Sequence, residues 1–340
     1  MQRLFSRVVV TGVALALVLM AVSSVALAQS YHRSNLVSNL MGKAKHTDTL
    51  LKNPWGLAYG PGVPFWVSDE ASGYSTLYDG AGNPQSLQVV IPPKSGTGPG
   101  TPTGIVYNGS QEFKIRNWAS VFLFATLDGT ISGWSTFNPS AALIGVTQAG
   151  AVYTGLAITH KTTGNFLYAA DAANNRVDMY DGSFNLVKSF TDSTIPAGFA
   201  PFGVQNIGGK LYVSYASTSG GTGGYIDIFK ADGTFVKRFA HGAPLNQPWG
   251  FAVAPANFGP LSNTLLVSNN TKTGTINGFN LTTGKFVDTV KNSLGKPIFI
   301  NGLWGIEFGG GTSSNGQKDQ LFFTAGPNDT DGFFGLIFFK

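Results

Sequence analysis

The sequence contains no cysteine, and only 11% of its 340 residues are charged. A chain without cysteine is not held together by disulfides, so its stability must come from a buried core, which a chain of this length can form. The charged fraction is well below the value of about 25% in average globular proteins, and no cluster of lysine and arginine occurs. A nucleic-acid-binding surface is therefore not expected, although the formal net charge is +5.

The sequence also lacks the usual signatures of catalysis. Without cysteine and without a Gly-x-Ser-x-Gly turn, no activated nucleophile is indicated. The presence of only four histidines argues against a three-ligand catalytic zinc, although His46 or His241 remains a candidate general base. The glycine-rich run at 95–101 lacks the lysine and the following helix of a phosphate-binding loop. No reaction is assigned from these motifs.

The first 28 residues have the pattern of an export signal. Arg3 and Arg7 precede an apolar run at 8–22, and Ala-Leu-Ala at 26–28 fits a cleavage site. We expect cleavage after Ala28, a secreted or periplasmic location, and a single domain over residues 29–340. No later apolar run reaches about 20 residues, so no transmembrane segment is expected once the signal is removed.

A three-residue motif is repeated six times at nearly regular spacing. Its last residue is always glycine, and successive glycines lie 47 to 55 positions apart. A period near fifty residues with strand-like content predicts a β-propeller with six blades. The six copies are Pro54-Trp55-Gly56, Pro102-Thr103-Gly104, Tyr153-Thr154-Gly155, Pro201-Phe202-Gly203, Pro248-Trp249-Gly250 and Leu303-Trp304-Gly305.

The strands within each repeat predict how the ring closes. Each motif is followed by an apolar strand, then by a second strand, a polar loop and a third, alternating strand. The sixth copy stops after its third strand, whereas a spare strand-like segment lies at 34–40. We predict an all-β, six-bladed propeller in which this N-terminal segment completes the last blade and hides its edge. The alternative is an open β-solenoid or a pair of β-sandwiches.

Two resemblances support the propeller. The clearest copy, residues 167–181, resembles the NHL repeat. The chain from about residue 34 onward is similar to a family of uncharacterised exported bacterial proteins. This resemblance implies an NHL-like propeller and export from a bacterial cell, and it implies no reaction. The segments that carry the family resemblance include Asn53–Ala58, Asp128–Trp134, Ala200–Val204 and Gln247–Ala252.

The most probable location of a ligand site follows from the propeller geometry. The turns before the inner strands and the loops between second and third strands lie at one mouth of the channel, where polar groups converge. In four contiguous blades the middle residue of the motif is aromatic, which suits a planar or sugar-like ligand; alternatively, these rings pack between blades. The ligand-binding candidates are Trp55, Phe202, Trp249, Trp304, Asp128, Asn174, Asn270 and His241.

The same loops suggest one cofactor, Ca²⁺, since it prefers oxygen ligands such as those of Asp69, Glu70, Asp171 and Asn269. Alternatively, these side chains stabilise turns through the local backbone. We favour a secreted binding or interaction propeller whose ligand is an unidentified small molecule, glycan or protein. The alternatives are a Ca²⁺-dependent hydrolase of the lactonase type and an envelope scaffold protein.

Overall fold

The computed structural model describes residues 29–161 and 164–340, and the expected export signal lies outside these ranges. Six sheets, antiparallel except for one two-residue parallel pair in the last blade, form the blades of a β-propeller in the described chain. The helical elements of the described ranges are two short 3₁₀ turns, Gly259–Leu261 and Pro327–Asp329. None of them has the length and hydrophobicity needed to span a membrane. The prediction of an all-β, six-bladed propeller is confirmed.

The strands are numbered in chain order. The last blade contributes the first two, β1 (Tyr31–Ser38) and β2 (His46–Thr47). Blade one contains β3 (Pro54–Ala58), β4 (Phe65–Asp69), β5 (Tyr74–Tyr78) and β6 (Val89–Val90). Blade two contains β7 (Pro102–Tyr107), β10 (Phe122–Thr126), β11 (Thr130–Trp134) and β12 (Leu143–Thr147), with a small hairpin of β8 (Lys114–Ile115) and β9 (Trp118–Ala119) before β10.

The remaining blades follow the same order from the inner to the outer strand. Blade three contains β13 (Tyr153–Thr159), β14 (Phe166–Asp171), β15 (Arg176–Asp181) and β16 (Leu186–Phe190). Blade four contains β17 (Phe199–Ile207), β18 (Lys210–Ser217), β19 (Tyr225–Lys230) and β20 (Phe235–His241). Blade five contains β21 (Pro248–Val253), β22 (Thr264–Asn269), β23 (Ile276–Asn280) and β24 (Phe286–Thr289). Blade six contains β25 (Leu303–Phe308), β26 (Leu321–Ala325) and β27 (Phe333–Phe339).

The N-terminal strand closes the ring. Strand β1 pairs antiparallel with β27, so that Tyr31 lies opposite Phe339 and Ser34 lies opposite Leu336. The closing strand, Tyr31–Ser38, is shifted towards the N-terminus relative to the predicted segment 34–40, because its pairing with β27 runs from Tyr31 to Ser38. The buried Tyr31 hydroxyl donates to the Phe258 carbonyl oxygen of blade five at 2.7 Å. The closing strand is therefore fixed by its sheet and by the neighbouring blade.

The core lies between the blades. Of the seven buried hydrophobic clusters in the described chain, six are each shared by two neighbouring blades. Between blades three and four, for example, the buried Tyr168 ring packs beside Val213, and its hydroxyl donates to the Ala231 carbonyl oxygen at 2.7 Å. Because each blade depends on both neighbours for burial, the ring is stable only when it is closed.

The glycine of the repeated motif is required by the close approach of neighbouring inner strands. A β-carbon on Gly203 would lie 2.0 Å from the Trp249 carbonyl oxygen, and one on Gly250 would lie 2.8 Å from that of Trp304. Contacts below 3.0 Å cannot be accommodated without a shift of the backbone. The regular spacing of these glycines in the sequence therefore reflects the packing of inner strands around the channel.

Candidate functional site

The central channel has two different ends. We call the end at which the six inner strands begin the upper end; it carries the repeated motif, from Pro54 in blade one to Leu303 in blade six. The lower end is the one at which these strands finish, near Tyr59 and Phe308. The sequence analysis places the ligand site at the upper end.

At the upper end, the aromatic residues of the motif pack against one another. The rings of Trp55 and Trp304 are stacked with centroids 3.6 Å apart, and Trp249 meets them edge-on at 6.2 and 5.8 Å. Phe202 lies 6.1 Å from Trp55 and 5.6 Å from Trp304. The three indoles are only 4–8% exposed. Blades one and four lie on opposite sides of the six-bladed propeller, and Trp55 and Phe202 of these blades are in contact. The aromatic cluster therefore fills the channel axis.

Two hydrogen bonds fix the aromatic cluster. The Trp249 indole N–H donates to the Thr154 carbonyl oxygen at 2.9 Å, which connects blade five to blade three. The Trp304 indole N–H donates to Asn53 Oδ1 at 3.0 Å. Thr154 is the middle residue of the motif in blade three, and its small side chain leaves room for the Trp249 ring of blade five. The rings therefore pack, both between neighbouring blades, as Trp55 and Trp304 do, and across the axis, as Trp55 and Phe202 do. A contact with a ligand stays a prediction.

Two of the calcium candidates are engaged in turns of their own blades. Asp69 is fully buried and accepts hydrogen bonds from the Thr76 backbone N–H at 3.1 Å and hydroxyl at 2.7 Å. Burial raises the pKa of Asp69 well above its usual value. In blade three, Asp171 accepts from the Val152 backbone N–H at 3.1 Å and from Asn174 Nδ2 at 2.7 Å. These bonds are those expected of residues that stabilise turns.

The other two calcium candidates lie in different surroundings. Glu70 accepts a hydrogen bond from Asn53 Nδ2 at 2.8 Å, and Asn269 Oδ1 accepts one from the Asn246 backbone N–H at 3.0 Å. Across residues 29–161 and 164–340, no group of three or more His, Asp or Glu side chains is placed to hold a metal ion. The structure does not bring the four candidates together, and Ca²⁺ binding stays a prediction.

The remaining polar candidates are spread over the upper end. Asp128 accepts a hydrogen bond from the Lys94 backbone N–H at 2.6 Å. The exposed His241 ring is stacked beside Tyr225 at a centroid distance of 6.2 Å. Asn270 lines an open cavity of about 600 Å³ that lies away from the axis, between the loops of blades four, five and six. These three residues therefore do not form one site.

The lower end is open. Beneath the aromatic cluster, the channel has a volume of only about 40 Å³ and is lined by the motif glycines and the residues after them. It then widens into two adjoining cavities of about 270 and 230 Å³. Residues shared by the two cavities are Tyr59, Gln205, Asn206 and Glu307.

Glu307 lies where the narrow channel meets the two cavities, because its side chain lines all three. Strand β25 places it two residues after the motif glycine Gly305. Burial raises the pKa of Glu307 to about 8, and no hydrogen bond or ion pair to the described chain opposes this effect. The carboxyl group therefore holds its proton more strongly than an ordinary glutamate does.

The side chains around Glu307 are aromatic or uncharged. Burial, followed by the nearby Glu307 charge, raises the pKa of the Tyr59 phenol to about 12. Asn206 Nδ2 donates to the Ile158 carbonyl oxygen at 2.9 Å, whereas Gln205 has no side-chain hydrogen bond within the described ranges. Among residues 29–161 and 164–340, no lysine or arginine lines either cavity, and the exposed His160 lines the first. Within these ranges Glu307 is the only carboxyl group that lines the cavities.

The sequence analysis missed Glu307, although a signal was present. The residue two positions after the motif glycine is small or apolar in four copies and polar only in blades four and six. A charged residue at such a position of an inner strand is costly to bury and indicates a functional role. The six residues at this position are Ala58, Val106, Ala157, Gln205, Ala252 and Glu307.

The chain is similar over most of its length to proteins of Acanthamoeba polyphaga mimivirus. It is 32% identical to "Uncharacterized protein R648" over 327 positions, which cover 89% of this chain and 78% of that protein. It is 30% identical to "Uncharacterized protein L690", with coverage of 89% and 84%. The chain belongs to the family of these uncharacterised proteins. No model of a known protein family matches it, and membership of the exported bacterial family stays a prediction.

Solved structures support the fold. A streptogramin B lyase matches with a TM-score of 0.55 and 12% identity over 92% of this chain and 98% of that chain. The gluconolactonase XC5397 from Xanthomonas campestris matches with a TM-score of 0.54 and 14% identity over 84% and 88%. The Dos1 propeller matches with a TM-score of 0.50 and 12% identity over 86% and 69%. At these identities the likeness shows the propeller fold and not an activity.

Proposed function

We propose that this protein is an exported binding propeller that takes up a small molecule at the lower end of its channel. The observation that carries the proposal is Glu307, a carboxyl group without a protein partner in the lining of two adjoining cavities. Concave sites with apolar walls and a few uncommitted polar groups are typical of small-molecule binding. A strongly shifted pKa in such a cleft is a further mark of a functional site.

The contrast between the two ends favours the lower one. The axis of the upper end is occupied by the indoles of Trp55, Trp249 and Trp304, and most of its predicted polar residues are engaged in turns. At the lower end, by contrast, Gln205 and Glu307 line the two cavities and make no side-chain hydrogen bond to the described chain. The volumes of about 270 and 230 Å³ fit a small molecule better than a glycan chain or a protein segment.

Export is part of the proposal and rests on the signal-like pattern of residues 1–28. Expression of the full chain in a bacterium, followed by cell fractionation and N-terminal sequencing, tests it. We expect the protein in the periplasm or the medium with Gln29 as its first residue. Recovery of the uncleaved chain in the cytoplasm would contradict the export proposal and leave the binding proposal intact.

A Ca²⁺-dependent hydrolase of the lactonase type is the alternative. The fold shared with a gluconolactonase and a carboxyl group in the channel support it. Gluconolactone hydrolysis, measured with Ca²⁺ and with EDTA, tests this alternative. Turnover that is lost with EDTA and in Glu307→Gln would replace the binding proposal with the hydrolase. An envelope scaffold would instead bind partner proteins through the outer surfaces of its blades. Substitutions in the channel would then leave this binding unchanged.

The binding proposal is tested by screening a metabolite library for thermal stabilisation of the mature protein. The variant Gln205→Trp fills the cavities with an indole and removes no protein hydrogen bond. The matched control is Val236→Trp, at an exposed position of the outer strand of blade four. We expect the compounds that stabilise the wild type to stabilise the control equally and to lose their effect on Gln205→Trp. Stabilisation that persists in Gln205→Trp would place binding elsewhere.

A further inference from the structure

We infer that the molecule bound at the lower end is a small organic cation with a primary ammonium group, held by Glu307. This inference rests on the proposed function and specifies the chemical class of its ligand. It concerns the side chain that the packing of the propeller leaves without a partner.

The charge of the site is the first argument. In the part of the chain that the structure describes, Glu307 is the one carboxyl group that lines the two cavities, and neither lining contains lysine or arginine. An ionised carboxylate in a channel of low dielectric constant strongly attracts a cation and repels an anion. A positively charged ligand would therefore provide the counter-ion for Glu307 that the cavity lining does not provide.

The hydrogen-bonding groups are the second argument. An ammonium group has three N–H donors and no acceptor, so it needs acceptors in its site. Glu307 offers carboxylate oxygens and Gln205 an uncommitted amide oxygen, whereas the Asn206 amide is used in bonds with the Ile158 carbonyl and the Gly209 N–H. The acceptors thus come from two positions that correspond to each other in blades four and six.

The apolar walls are the third argument. Leu57 and Ile105 line the first cavity, and the rings of Tyr59 and Tyr107 lie beside them. Aliphatic walls favour an alkyl chain, and tyrosine rings attract a nearby cation through their π electrons. Because the channel above has a volume of only about 40 Å³, the ligand must enter from the lower end. A short alkylammonium ion satisfies these conditions.

Binding of such an ion has a distinctive consequence for protons. Burial raises the pKa of Glu307 to about 8, so without a ligand the carboxyl group keeps its proton to a higher pH than an ordinary glutamate does. Pairing with an ammonium group favours the carboxylate, and the proton is then released to the solvent. The other titratable side chains that line the two cavities are Tyr59, Tyr107 and His160. A neutral ligand would not cause this release from Glu307.

Calorimetric titration of the mature protein at pH 7 tests the inference with three probes of similar size. They are n-butylammonium chloride, n-butanol and sodium butyrate. We expect n-butylammonium to bind at least about tenfold more tightly than the other two, as charge-assisted hydrogen bonds allow. Its heat of binding should differ between phosphate and MOPS buffers, because these buffers take up the released proton with different enthalpies.

Three variants complete the test. Glu307→Gln should lose about tenfold in affinity for n-butylammonium, together with the buffer dependence. Asp319→Asn is the matched control, because Asp319 is a partly buried carboxylate at the same end that accepts a hydrogen bond from Asn257 Nδ2 at 3.1 Å and does not line the cavities. This control should bind normally. Gln205→Trp should abolish binding.

The outcomes separate the inference from the proposed function. Equal binding of n-butanol or butyrate, or unchanged binding by Glu307→Gln, would overturn the ammonium inference. The ammonium inference would also be overturned if the library compounds whose binding Gln205→Trp blocks include no amines. In each of these cases the proposed function would stand. Failure of Gln205→Trp to block any ligand would overturn the proposed function itself.

Discussion

The two ends of the channel are built from the same six inner strands, yet their side chains serve different purposes. At the upper end, Trp55, Trp249 and Trp304 bury one another and close the axis. At the lower end, Glu307 lines open cavities without a partner from the described chain. The comparison indicates that the aromatic residues of the repeated motif pack the axis, whereas the position two residues after its glycine carries a polar side chain in blades four and six.

The largest expected effect comes from opening the ring, which would destroy both ends together. Deletion of residues 31–38 removes the strand that pairs with β27 and exposes its edge. We expect aggregation or a greatly lowered melting temperature, measured by size-exclusion chromatography and thermal unfolding. The control is Met41→Ser, at an 88% exposed position just after the closing strand. A deletion variant that melts like the wild type would contradict the closure by β1.

The second effect tests whether the upper end is a packed core. Trp249→Ala removes a buried indole and its bond to the Thr154 carbonyl. We expect the free energy of unfolding to fall by about 3–5 kcal/mol, the usual cost of deleting a large buried aromatic residue. Trp118→Ala, at a 50% exposed indole, should cost far less in the same denaturant titration. A mild loss for Trp249→Ala with altered ligand binding would make the upper end the binding site.

The third effect concerns the pH dependence of stability at the lower end. The folded-state pKa of Glu307, about 8, lies above its unfolded value of about 4.3, so the folded protein retains a proton that the unfolded chain loses. This contribution to stability is complete below about pH 4 and is lost as the pH rises to about 8. The slope is at most about 1.4 kcal/mol per pH unit, and lower where channel water reaches the carboxyl group.

The substitution Glu307→Gln removes the ionisable carboxyl group and with it this contribution to the pH dependence of the unfolding free energy. We expect the difference in unfolding free energy between variant and wild type to shift in favour of the variant as the pH rises from 5 to 8. Chemical denaturation at several pH values measures this difference, with Asp319→Asn, a carboxylate outside the cavities, as the control. A difference that does not change with pH would mean that water solvates Glu307 fully.

The smallest expected effect concerns calcium at the upper end. A site with tight affinity would raise stability by about 2.7 kcal/mol at a Ca²⁺ concentration one hundred times its dissociation constant. Because Asp69, Asp171 and Asn269 lie in different blades and bond within them, we expect Ca²⁺ and EDTA to leave the melting temperature nearly unchanged. A clear increase with Ca²⁺, together with metal detected by elemental analysis, would restore the upper end as a metal site.

Much of the fold was predictable because its cause repeats along the chain. The motif glycines recur because, in five of the six copies, an added β-carbon would lie within 3.0 Å of the neighbouring inner strand, as at Gly203. The closing strand was predictable because the sixth repeat lacks an outer strand. The exact bounds of this strand were less predictable, since the pairing that extends β1 back to Tyr31 depends on a partner strand about 300 residues away. The candidate site was predicted at the other end of the channel.

The sequence by itself determined the number of blades, their strand order and the closure of the ring, because alternation, turn residues and repeat spacing act locally and are visible in a linear chain. Only the tertiary structure decided which residues meet on the axis. Trp249 reaches Thr154, 95 residues away, and Glu307 faces the cavities beside Gln205 of blade four. The burial and missing partner of a side chain depend on all the blades around it, and no single repeat contains that information.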